Sequence, residues 1–93
     1  MWTILEHRRV KRRLSKLPLE ILKRYEKWKD IVELSGPGGL RKIRGLWDEQ
    51  LRGEWSGQRA SWLGDQFRVI YRVEAKRITV KVIDVNAQDY RRN

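Results

Sequence analysis

The 93 residues carry 22 Lys+Arg against 12 Asp+Glu, a formal net charge of +10, together with 40% hydrophobic residues, five tryptophans and no cysteine. A chain of this length supports one core, so residues 1–93 read as a single domain, and the tryptophan content argues against disorder. The cysteine count excludes a disulfide scaffold, a Cys-ligated metal and a thiol nucleophile, and the lone His7 argues against a His-rich metal cluster and a Ser-His-Asp triad. No apolar stretch approaches the ~20 residues that span a bilayer, and no signal-peptide pattern opens the sequence. These features point to a soluble, cytoplasmic domain whose charge selects polyanionic partners.

Trp2 to Glu6 alternates and favours a short first strand. His7 to Lys16 places Val10, Leu14 and Leu17 at i, i+4 and i+7, the stripe of a short helix that leaves Arg8, Arg9, Arg12, Arg13 and Lys16 solvated. Pro18 fits the first turn of a second helix, which runs to Leu34 with Ile21, Tyr25, Trp28 and Val32 on one face. Gly36-Pro37 ends it. The glycine-rich stretch from Gly36 to Gly57 holds at most one helical turn, at Leu40 to Arg44.

Three strands follow: Gln58 to Leu63, Phe67 to Glu74 and Arg77 to Val85, joined by Gly64-Asp65 and a short reversal at Ala75-Lys76. In the second, Phe67, Val69, Tyr71 and Val73 share one face, and Arg68, Ile70 and Arg72 share the other. In the third, Ile78, Val80 and Val82 share a face. Neither layer can bury its apolar side alone. The predicted architecture is therefore α+β, of order β-α-α-β-β-β: an N-terminal strand and a two-helix hairpin packed on an antiparallel sheet with a three-strand C-terminal meander.

Helices on one side leave the other sheet face open. Arg68 and Arg72 point the same way from one strand, with Arg52, Arg59, Lys81, Arg91 and Arg92 as expected neighbours. Guanidinium groups clamp phosphates in a bidentate way, so this face is the expected RNA-binding surface. Tyr90 and Trp55 supply aromatic planes for stacking on unpaired bases.

The run Leu46-Trp47-Asp48-Glu49-Gln50-Leu51-Arg52-Gly53, then Arg59, then Phe67-Arg68-Val69-Ile70-Tyr71-Arg72, and finally Gln88-Asp89-Tyr90-Arg91-Arg92 sets three motifs in order. This pattern resembles the RelE/ParE superfamily of bacterial toxin–antitoxin toxins, particularly its RelE, YoeB and HigB-like ribonuclease branch. The resemblance implies a type II toxin that cleaves mRNA on the ribosome without metal or cofactor, in a bacterial or archaeal cytoplasm. In that reaction the 2′-hydroxyl attacks the adjacent phosphate. By resemblance Glu49 is the base and Arg68 stabilises the transition state. Tyr90 orients the substrate, stacks on a base or assists proton transfer, and Arg59 contacts phosphate. The implied partners are a cognate antitoxin, mRNA and the ribosome, with no membrane. The free toxin is expected as a monomer and the antitoxin complex as a larger assembly.

Gln88 departs from the pattern: many relatives have His two residues before the terminal tyrosine. A carboxamide carries no titratable proton near neutrality and cannot be a general acid. Three readings stay open: the acid is Tyr90 or an arginine, the chain is attenuated, or it is an engineered inactive form. Two other functions share the sequence features, a ParE-like inhibitor of DNA gyrase and a non-catalytic basic RNA- or ribosome-binding module. Asp48, Glu54 and Asp84 match the spacing of no recognised metal site, and His7 lies far from the motifs.

Overall fold

A computed structural model describes residues 1–43, 45–46, 48–64 and 66–87. The chain forms β1 (Thr3–Glu6), α1 (Arg8–Leu14), α2 (Leu19–Ser35), β2 (Asp48–Gln50), β3 (Arg59–Trp62), β4 (Phe67–Glu74) and β5 (Thr79–Ala87). Short 3-10 turns lie at Pro37–Lys42, Gly53–Trp55 and Ala75–Arg77. The strands make one five-stranded sheet in the order β1-β5-β4-β3-β2, with β1 parallel to β5 and the remaining pairs antiparallel. The expected α+β layering and C-terminal meander are present. The order gains a strand, β2, which pairs Asp48, Glu49 and Gln50 with Ser61, Ala60 and Arg59.

Local chemistry sets the helix ends. His7 caps α1 rather than lying within it: its Nδ1 accepts the Arg9 N–H at 3.1 Å. Pro18 is the N-cap of α2, and its carbonyl accepts the Leu22 N–H at 3.0 Å, one position earlier than the predicted first turn. Gly36 ends α2 at φ +75°, and its N–H reaches the Val32 carbonyl at 2.8 Å. The position is tight as well as left-handed, because a Cβ there would lie 2.6 Å from Trp2 Nε1. Gly36→Ala is expected to destabilise the fold by about 3 kcal/mol, combining backbone strain with overpacking. Urea unfolding would measure this as a lower midpoint at unchanged m-value.

Helix and sheet close on a common core. Val10, Tyr25, Trp28 and Val32 meet Val69, Tyr71, Val80, Val82 and Val85, all essentially inaccessible to solvent. Trp28 lies at its centre, stacked on Tyr25 at 6.0 Å between centroids and edge-on to Tyr71 at 5.4 Å. Tyr25 OH donates to Glu6 of β1, and Lys29 Nζ lies 5.1 Å from the Tyr25 ring centroid. These contacts tie α2 to the first strand. No helix among the described residues is long and apolar enough to cross a membrane.

Two backbone features depart from simple alternation. Ile78 adopts φ +49° at the end of the Ala75–Arg77 turn and is exposed, so it does not share the face of Val80 and Val82. The register of β4 on β5 also shifts between Ile70 and Tyr71: Ile70 pairs with Asp84 and Tyr71 with Val82. Ile83 is the extra residue of a β-bulge. The bulge lets Val80, Val82 and Val85 all face the helices despite their uneven spacing.

Candidate RNA-binding face and active site

Strand register assigns every polar residue of the sheet to a face. Tyr71 faces the core, so its partner Arg59 does too, and so does Asp48, which pairs with Ser61 opposite Val69. Glu49, Ala60, Ile70 and Asp84 form one row across the other face. Trp62, Arg68 and Asn86 form the next row, and Arg72, Lys81 and Leu5 lie on the far side of the Ile70 row. The face away from the helices thus gathers Glu49, Arg68, Arg72 and Lys81. Glu49 and Arg68 are separated by two strand spacings, about 10 Å, and by one residue pair along the strand, about 7 Å.

Arg68 is held rather than loose. Its Nε donates to Asn86 Oδ1 at 3.2 Å, Asn86 Nδ2 donates to Asp84 Oδ2 at 3.1 Å, and Asp84 Oδ1 accepts the Val85 N–H at 2.9 Å. Arg13 Nε of α1 stands 3.3 Å from the same Oδ1. Arg72 is exposed. Lys81 Nζ pairs with Glu74 at 2.7 Å, and that hydrogen bond holds the Glu74 carboxyl below its ordinary value. Glu49 is exposed on the edge strand, and Arg52 is exposed just beyond it at the start of the Gly53–Trp55 turn.

Arg59 belongs to a different constellation. Its Nε donates to Asp48 Oδ2 at 2.6 Å, and Tyr71 OH donates to the same oxygen at 2.9 Å. Arg41 Nε stands 3.6 Å from Oδ1. The Asp48 side chain is 2% exposed, and that of Arg59 is 26% exposed. Burial alone would raise the Asp48 carboxyl, but the bonds from Arg59 and Tyr71 and the charges of Arg59 and Arg41 outweigh it and hold it below the ordinary range. Burial, followed by the Asp48 bond and charge, pushes the Tyr71 hydroxyl upward. Arg59 therefore spends its Nε–H inside the fold, away from the Arg68 row. Alternation already held the signal: Arg59, Ser61 and Leu63 fall on one side of their strand, and Leu63 is apolar.

Gln88, Tyr90, Arg91 and Arg92 lie outside the described residues. Asn86 and Asp84 had no place among the sequence candidates, although the Asp-Val-Asn alternation on β5 marks two polar groups on one face. Away from the sheet, Arg9, Arg12, Arg13 and Lys16 line a basic cleft of about 300 Å³ on α1. Among the described residues, no group of three or more His, Cys, Asp or Glu is placed to hold a metal ion.

No protein-family model matches the sequence, and no curated protein matches it. Solved structures do match over nearly the whole chain. RelE in an archaeal RelE–RelB complex from Pyrococcus horikoshii OT3 is 26% identical at a TM-score of 0.75, covering 96% of this chain and 97% of the other. The YoeB–YefM complex from Staphylococcus aureus matches at 12% identity and TM-score 0.71, covering 96% and 99%. YafQ from E. coli strain BL21(DE3) matches at 14% and 0.72, covering 95% and 94%. At those two identities the likeness is one of fold. Strand order and the two helices together define a RelE-type α+β domain. The chain is a member of the RelE/YoeB-like toxin superfamily.

Proposed function

We propose that this protein is the toxin of a type II toxin–antitoxin system and acts as a metal-independent endoribonuclease on mRNA at the ribosome. The observation that carries this reading is the strand register that puts Glu49 and Arg68 on the sheet face opposite Tyr71 and Val69, with Arg72 and Lys81 beside them. Cleavage by the neighbouring hydroxyl needs a base, cationic stabilisation of the phosphorane and an acid. Glu49 takes the 2′-hydroxyl proton as that oxygen attacks phosphorus. Arg68 binds the non-bridging oxygens as charge builds on them. The P–O5′ bond breaks, and the leaving 5′-oxygen takes its proton from Tyr90 or an arginine, leaving a 2′,3′-cyclic phosphate and a 5′-hydroxyl. The partner that silences the chain is an antitoxin whose acidic segment covers the basic face, consistent with the RelE–RelB and YoeB–YefM complexes among its structural relatives.

Mapping RNA 5′ ends in a reconstituted translation reaction tests the proposal. New ends at ribosome-occupied codons, absent with Arg68→Ala, support it and show that Gln88 is no barrier. Silence from the native chain with cleavage by Gln88→His identifies a disabled nuclease. Silence from both overturns the nuclease reading and turns attention to gyrase or to simple RNA binding. Binding gives a second check. RNA affinity should fall linearly in log K against log salt, and Arg72→Ala should reduce that slope by about 0.7, the share of one phosphate contact on single-stranded RNA.

A further inference from the structure

We infer that Asn86, fixed by Asp84, is the positioning residue for Arg68, and that it leaves the Nη1/Nη2 edge of this guanidinium as the one that clamps phosphate. The inference rests on the nuclease reading for its kinetic consequence but not for its geometry. A guanidinium offers two bidentate edges, one formed by Nε with an Nη and one by the two Nη groups. Asn86 Oδ1 occupies the Nε–H of Arg68 at 3.2 Å, which removes the first edge. The second edge makes no hydrogen bond among the described residues.

The orientation of the Asn86 amide follows from its two neighbours. Arg68 can only donate and the Asp84 carboxylate can only accept, so the amide must turn its oxygen to Arg68 and its nitrogen to Asp84. Asp84 is itself immobilised by the Val85 N–H and the Arg13 guanidinium, and its side chain is 15% exposed. Arg13, 53% exposed, anchors the far end from α1. The chain Arg13–Asp84–Asn86–Arg68 thus runs from α1 across β5 to β4. It fixes the plane of Arg68 before substrate arrives, and only a residue with both a donor and an acceptor fills position 86. The β-bulge at Ile83 helps to set the course of β5 next to Asp84 and Asn86.

The test combines single-turnover cleavage of ribosome-bound mRNA with the Nε–H resonance of Arg68 in ¹⁵N-edited NMR spectra. The proteins compared are the native chain, Asn86→Ala, Asn86→Asp, Arg68→Ala and the Arg68→Ala/Asn86→Ala double variant. Asn86→Ala is expected to slow cleavage at saturating substrate by about tenfold to a hundredfold with little change in KM, the effect of a misaimed catalytic group. Asn86→Asp keeps the acceptor for Arg68 but repels Asp84, so it should cleave faster than Asn86→Ala. The double variant should be no slower than Arg68→Ala. Equal rates for Asn86→Ala and the native chain overturn the inference, as does a further slowing in the double variant. If the native chain cleaves nothing, the rates are compared in the Gln88→His background; if that too is silent, the nuclease reading falls and NMR alone decides. An Arg68 Nε–H that exchanges slowly in the native chain and fast in Asn86→Ala sustains the positioning role. Unchanged exchange overturns it. If Asn86→Ala fails to fold, Asn86→Leu, which fills the space and offers no acceptor, takes its place: fast Nε–H exchange there sustains the role and slow exchange overturns it.

Discussion

Replacing Arg68 by alanine is expected to lower the rate of RNA cleavage by about a hundredfold or more while leaving the domain folded. The magnitude follows from removing a preorganised donor from developing charge, which typically costs 10²–10³ in rate. The fold survives because Arg68 lies outside the buried cluster and its replacement removes one neutral-acceptor bond, to Asn86, a stability loss on the order of 1 kcal/mol. Circular dichroism and the urea midpoint separate the two effects. Arg68→Lys should fall between native and alanine, because an ammonium keeps the charge but loses the planar fork. A variant that cleaves at the native rate would remove Arg68 from the site.

The second large effect concerns stability. Asp48→Asn should destabilise the protein by about 3–5 kcal/mol, the range for breaking a buried ion pair by deleting one partner. Arg59 would keep its charge in a largely enclosed setting, and Tyr71 OH would lose its anionic acceptor. A small domain holds only ~5–15 kcal/mol in total, so the variant should stand near its unfolding threshold. The pH dependence gives an independent reading. Asp48 is held below its ordinary value in the folded chain, so below that value the unfolded chain binds the extra proton first. Stability from this group is therefore fully present above the ordinary carboxylate range, near pH 4–5, and is lost as pH falls through the lower folded value. Unfolding free energies measured from pH 5 downward should drop steeply in the native chain and more gently in Asp48→Asn. Parallel curves would mean that other carboxylates control acid unfolding.

Much of this organisation is written in periodicity. The stripe Tyr25, Trp28, Val32 and the alternation Val69, Tyr71, Val73 foretold helix and strand, because burial of one side is what each pattern encodes. β2 escaped notice for a physical reason: Asp48–Gln50 is three polar residues on a sheet edge, held there by the free side of β3 rather than by an apolar pattern. The bulge at Ile83 escaped because its trace in the sequence, a three-residue step from Val82 to Val85, reads equally well as a strand that ends at Val85. Within the candidate site, the motif pattern singled out Glu49 and Arg68, and register then placed them on one face. Arg59 was assigned to phosphate by its charge and by the resemblance, whereas its face is decided by pairing with Tyr71. The Asp-Val-Asn alternation showed two polar groups on one face of β5, but not the arginine from another strand that they meet.

The parallel pairing of β1 with β5 has a consequence for how the molecule assembles. The β4–β5 hairpin and its β3 neighbour join segments close in sequence, and they suffice to lay out the Arg68 row. The first strand can dock only after Thr79 to Val82 are in place, and α2 is tied to that strand through Glu6 and Trp2. Such long-range closure puts refolding nearer milliseconds to seconds than microseconds. The surface that carries Arg68 is thus expected to gather early from short loops, and the helical layer that backs it should lock last.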